Sequence, residues 1–203
     1  MHEFLQAISN TKFYPTLNRI SNTPSPSLFD YEMSLDLFYF SYIWRAKNKV
    51  LSGKELNIIA QNFGNKLDLL NVQWIYRAKK YYNLTPADIY AFIIPVNYKI
   101  KKGILSAMVE SATLEDMQVI MSSTFYARQY SEEVLDSHSI EVIYIRLMDA
   151  IYHASSRKNP YSVASINTYL YQKEHEIHKI TTIIEGIRYG LSPQEIDRYA
   201  INK

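Results

Sequence analysis

The sequence predicts an all-α chain built from two tandem helical units, each dominated by an antiparallel pair of long helices. The segment Lys173–Ile196 (KEHEIHKITTIIEGIRYGLSPQEI) has a counterpart about a hundred residues earlier at Leu67–Ile89 (LDLLNVQWIYRAKKYYNLTPADI), and self-similarity at fixed spacing signals a repeated unit. Apolar residues recur at three- and four-residue spacing over long stretches. No stretch alternates in the manner of a strand with hairpin turns.

In chain order, residues 3–9 predict a short helix, followed by a corner at Pro15 and a loop over residues 21–27 (SNTPSPS). Residues 31–49 are too long and too rich in aromatic and aliphatic side chains for a strand, so they read as a buried helix. Ser52 and Glu55 form a capping-box pattern that opens the next helix. Along it Leu56, Ile59, Phe63, Leu67, Leu70 and Trp74 make one continuous stripe, and Leu69, Val72, Ile75 and Tyr76 spread apolar character to other faces. Such a helix belongs at the centre of a bundle. Asn83 then tolerates the left-handed residue that closes a helix, Leu84 supplies the apolar contact, and Thr85 caps a new short helix with Pro86 and Asp88 in its first turn.

Thr113 and Asp116 mark a fresh start, dividing the chain into a first unit, 1–112, and a second, 113–203. Met117–Tyr126 lines up with Leu5–Tyr14, both ending in Phe-Tyr. Helices over Ser139–His153 and Val163–Tyr189 repeat the long pair. The second has the stripe Ile166, Tyr169, Leu170, Ile177, Ile180, Ile184 and Ile187, interrupted at Lys173, which should face a neighbouring helix. Gly190, Ser192, Pro193 and Glu195 repeat the corner of the first copy.

A chain of 203 residues with 22 basic and 20 acidic side chains presents no large field of one sign, which argues against nucleic acid or an anionic membrane as partner. Without Cys it can form no disulfide or thiolate metal site. The absence of Cys fits a cytosolic protein, and since no apolar run approaches the length of a membrane span and no signal segment opens the chain, the chain itself is expected to be soluble. The 18 tyrosines read as amphipathic filler between helices. Phosphate-loop glycines are missing. Glu174-His175-Glu176-Ile177-His178 is the best metal candidate, yet its spacing matches neither zinc peptidases nor di-iron bundles, so no cofactor is expected. The basic aromatic run Tyr76–Tyr82 reads as a helix C-terminus.

Asp68 and Glu176 recur in the two copies beside core positions and need partners, for which Arg77 and Arg188 are candidates. Asn71, Asn83, Glu174, Gly186 and Gly190 complete the structural motif of the repeated segments. An interhelix bond is favoured for these acids over a catalytic role, since no second carboxylate, His or nucleophile is set beside them.

The segment KEHEI with its tail EGIRYGLSPQEI, the segment LDLLNVQWIYRAK with IIPVNYKI after it, and the unit starts Thr11-Lys12-Phe13-Tyr14 and Ser123-Thr124-Phe125-Tyr126 resemble the C-type (or d-type) stalk family of A-type and V-type ATPases. The resemblance implies a non-catalytic adaptor between the membrane rotor ring and the central stalk, cytoplasmic and peripheral to the membrane. Members generally carry three helical units, so the chain resembles the C-terminal two of three. Where members have glycine after the proline of the first corner, Pro95-Val96-Asn97 stands, with Asn97 expected to supply a left-handed turn. A missing first unit would leave Phe4, Leu5, Phe13, Leu17 and the loop at Pro24 and Pro26 uncovered, predicting weak homodimers through the N-terminal half and little association through the C-terminal half. Tyr98, Lys99, Lys101 and Lys102 form the basic corner expected to meet a stalk or ring partner. The rival readings are a stand-alone helical-repeat interaction module and a small helical metalloenzyme using Glu174, His175 and His178.

Overall fold

Helix starts that the chain caps with its own side chains set the architecture. A computed structural model describes residues 2–129 and 140–201, and every regular element among them is a helix. These are α1 (His2–Ala7), α2 (Tyr14–Ser21), α3 (Leu28–Val50), α4 (Gly53–Tyr81), α5 (Pro86–Phe92) and α6 (Lys102–Glu110). They continue with α7 (Leu114–Ser122), α8 (Phe125–Gln129), α9 (Ile140–Lys158), α10 (Val163–Arg188) and α11 (Pro193–Ile201). Ser139, at the expected start of α9, lies outside the described residues.

Reciprocal capping boxes close Thr85 with Asp88, Thr113 with Asp116 and Ser192 with Glu195, as their spacing predicts. Asn83 (φ 48°) and Gly190 (φ 71°) are both left-handed. At Gly190 the closure is complete: Gly190 N–H donates to the Ile187 carbonyl at 3.1 Å and Leu191 N–H to the Gly186 carbonyl at 3.0 Å. Four local expectations are corrected. Ser52 makes no capping bond, and Glu55 reaches 108 residues along the chain to accept the Val163 N–H at 3.0 Å, satisfying an orphan donor at the start of α10. Pro15 sits in the first turn of α2, where its missing N–H costs nothing, so a helix stands where a corner was expected. A Ser27–Asp30 capping box starts α3 three residues earlier than its apolar content suggests. Asn97 does not adopt the left-handed conformation; the turn at Pro95 closes with Val96 N–H on the Ile94 carbonyl at 2.8 Å.

As its distribution of apolar residues predicts, α4 is central. On one side Leu67, Phe63, Leu70 and Trp74 meet Leu37, Phe40 and Trp44 of α3 together with Ile94 and Val96. On the other, Leu69, Val72, Ile75 and Tyr76 join Leu105, Met108 and Val109 of α6, Met117 of α7, Tyr126 of α8 and Leu147, Met148 and Ile151 of α9. This core draws on residues from both sides of position 113.

The α10 stripe is where packing departs from expectation. Its N-terminal half packs on α9 through the other face: Ala164, Thr168 and Tyr171 are buried, Thr168 donates to the Tyr152 carbonyl at 3.0 Å, and the Tyr171 ring stacks on Tyr152 at 4.4 Å. Ile166, Leu170, Ile177, Ile180, Ile184 and Ile187 are exposed instead, by 50–65%. At the N-terminal end Phe4 and Phe13 are exposed as expected, whereas Leu5 and Leu17 are buried because α1, α2 and α3 fold over them.

Candidate functional site

Four polar residues recur at every third position of α4 and all are buried: Asn62, Asn65, Asp68 and Asn71. Buried in the middle of the bundle such a row calls for hydrogen bonds, and Asp68 and Asn71 find theirs in the irregular segment 93–101 between α5 and α6. The Asn71 side-chain amide donates to the Ile94 carbonyl at 3.0 Å and accepts its N–H at 2.9 Å. One turn earlier the Asp68 carboxylate accepts three successive backbone N–H groups, from Tyr98 at 3.0 Å, Lys99 at 2.6 Å and Ile100 at 2.9 Å. The Tyr126 hydroxyl of α8 lies 3.1 Å from the same carboxylate and 2.9 Å from Asn65 Oδ1. Asn62 is fully buried and neither amide atom has a hydrogen-bond partner.

Side chains complete the clamp. Gly64 leaves room for the Tyr98 ring: a Cβ there would stand 2.6 Å from the ring's Cγ. Trp44 meets Tyr98 edge-on at 6.1 Å, and Lys99 Nζ lies 5.0 Å from the Tyr98 and Phe125 ring centres. Burial pushes the Asp68 carboxyl above the usual carboxylate range, while the N–H groups of Tyr98, Ile100 and Lys99 and the Tyr126 hydroxyl pull against that rise. With 1% of its surface exposed, Asp68 touches no space a substrate could enter; its chemistry is to hold a backbone. What the clamp presents outward is Lys99, Lys101 and Lys102, all exposed, beside the half-buried Tyr98.

This geometry meets a comparison of the whole chain with known families, in which residues 1–199 match the model of the ATP synthase (C/AC39) subunit. The chain belongs to that family. Among its relatives, the C subunit of the A-type ATP synthase of Pyrococcus abyssi is 31% identical over 97% of this chain, and that of Methanosarcina mazei is 25% identical over 96%. The chain spans 53% of the length of each, closer to half of those relatives than to two-thirds.

Among the remaining expected site residues, Arg77 does not pair with Asp68; its Nε stands 3.9 Å from Glu141 of α9, because the chain's own backbone already fills the carboxylate. Glu176 is exposed and bonds to Lys173 of its own helix, so it neither pairs with the exposed Arg188 nor bridges helices. Glu174 lies 3.8 Å from Lys66 of α4, joining the two long helices at their surface. Gly186 permits close contact with α11, since a Cβ there would stand 2.7 Å from Ile196. His175 stacks on Tyr171 at 6.0 Å, and burial lowers its pKa. Among the described residues no group of three His, Asp or Glu gathers to hold a metal, and no helix is long and apolar enough to cross a membrane. The basic run at the end of α4 is structural: Lys79 donates to the Ser111 carbonyl at 2.7 Å and Lys80 to the Tyr76 hydroxyl at 2.9 Å.

Proposed function

We propose that the chain is a non-catalytic adaptor of an A/V-type ATPase, linking the membrane rotor ring to the central stalk and passing torque between them during ion transport. Family membership, and relatives that are C subunits of A-type ATP synthases, support the setting. The observation that carries the reading is the Asp68 clamp, which ties an exposed basic corner to a 29-residue helix buried among its neighbours. An adaptor needs contact points that do not yield, and this corner is fixed by backbone hydrogen bonds to the centre of the molecule.

In this reading Tyr98, Lys99, Lys101 and Lys102 meet the stalk or ring, and the protein sits at the cytoplasmic face, peripheral to the membrane through its complex. The unit boundary at 112/113 is supported by element order, which among the described residues runs short, short, long, long, short from α1 to α5 and again from α7 to α11. Co-expression with the stalk and ring proteins of an A-type ATPase tests the proposal. Wild-type chain should co-purify with them, and the triple variant Lys99→Glu, Lys101→Glu, Lys102→Glu should still fold, with its helical circular dichroism kept, yet lose the complex. Failure of the wild type to bind either partner overturns the adaptor reading in favour of a stand-alone interaction module; full binding by the variant removes this corner from the interface.

A further inference from the structure

Along α10 the residues Leu170, Lys173, Ile177, Ile180, Ile184 and Ile187 follow one another at alternating three- and four-residue steps, the spacing of a coiled-coil seam. Ile177, Ile180, Ile184 and Ile187 are 62%, 50%, 60% and 65% exposed, and Ile183 beside them is 39% exposed. α11 packs against the opposite face of the helix, where Gly186 meets Ile196. These five isoleucines present on the order of 500 Å² of contiguous apolar surface, and with their flanks they approach the area one partner contributes to a standard interface.

We infer that a second copy of this chain closes the seam, packed antiparallel along residues 173–188 about a two-fold axis beside Thr181 and Ile183. The charges select this occupant. With Ile177 layered on Ile187 of the second copy and Ile180 on Ile184, the flanking positions bring Glu174, which stays exposed beside Lys66 of its own chain, to Arg188 of the second copy, and Arg188 to its Glu174. Ile183 meets its own symmetry mate. Lys173, which interrupts the stripe, then lies against the C-terminal carbonyls of the opposing helix, where a cation is favoured. A parallel pairing would set Arg188 opposite Ile183 and lose both ion pairs. The surface is therefore complementary to itself under a two-fold rotation, as an isologous dimer requires.

Sedimentation equilibrium of the full chain at tens of micromolar should give twice the 23.8 kDa of one chain. The double variant Ile180→Glu, Ile184→Glu alters only exposed side chains; it should keep its helical circular dichroism and dissociate about a hundredfold more readily, or more. Arg188→Glu should weaken the dimer and Glu174→Arg added to it should restore it. Because the chain has no Cys, Thr181→Cys supplies a single thiol that should form a disulfide dimer on mild oxidation. A wild type that stays monomeric overturns the inference. So does a dimer that survives Ile180→Glu, Ile184→Glu, which assigns association to another face such as that around Phe4 and Phe13, and so does Thr181→Cys that dimerises without forming the disulfide.

Discussion

Replacing Asp68 by Ala removes the acceptor shared by three consecutive amides. The Ile100 N–H belongs to a residue 1% exposed and has no route to water, whereas those of the half-buried Tyr98 and exposed Lys99 can be partly hydrated. A stranded buried donor costs about 1–3 kcal/mol, so one full and two partial penalties, less the relief of no longer burying a carboxylate, come to about 3 kcal/mol. In a chain of this size that lowers the thermal midpoint by roughly 6–12 °C. Urea denaturation should show a lower midpoint with unchanged slope, and hydrogen exchange should show lost protection at the Tyr98, Lys99 and Ile100 amides. A loss below about 0.5 kcal/mol with those amides still protected would refute the clamp. The pH dependence follows from the raised Asp68 pKa, because the folded state then holds this proton more tightly than the unfolded one. The stabilising contribution of that proton is full below the ordinary carboxylate value of 3.8 and is lost as pH rises through the elevated folded value. Wild-type stability measured against Asp68→Asn, which lacks the titration, should therefore decline as pH rises through that window; a rise contradicts the assignment.

Gly64→Ala would drive a Cβ to 2.6 Å from the Tyr98 ring, an overpacking expected to cost about 1–3 kcal/mol in chemical denaturation, and an unchanged midpoint would mean the ring can step aside. Asn62→Leu exchanges an unpartnered buried amide for an apolar side chain of similar reach and should stabilise by about 1 kcal/mol; a lower melting temperature would show the amide is satisfied in solution. Gly190→Val forces a β-branched residue into φ 71° and should destabilise by about 1 kcal/mol or more, whereas Asn83→Gly, at φ 48°, should be neutral or mildly favourable in the same melts.

What the sequence makes legible is what short-range chemistry decides. The boxes at Thr85, Thr113 and Ser192 and the closures at Asn83 and Gly190 each lie within a few residues of their partners, so spacing alone identifies them. Asp68 stands out as a carboxylate in a core helix, but its acceptor role depends on amides 30 to 32 residues away, and Arg77 is merely a cation farther along the same helix. The signal that could have found the clamp is the third-residue recurrence of Asn62, Asn65, Asp68 and Asn71, weak helix formers in a helix whose apolar residues spread over several faces, together with Gly64 among them. Glu55 escapes sequence reasoning for the same reason, since Ser52 lies close in sequence and Val163 only in space. The α10 stripe is legible as a seam, yet periodicity gives the direction of an apolar face and never the identity of what covers it.

The convergence of the Tyr98, Lys99 and Ile100 amides on one carboxylate also fixes how the corner responds to mechanical load. Bonds arranged like the teeth of a zipper fail one at a time, each break exposing the next to the full force. Here a pull on Lys99, Lys101 or Lys102 is divided among three bonds anchored at a single point, and Asn71 holds Ile94 farther along the same segment. The segment must let go of Asp68 nearly all at once or not at all, so it bears force as a rivet does, stiff up to a threshold.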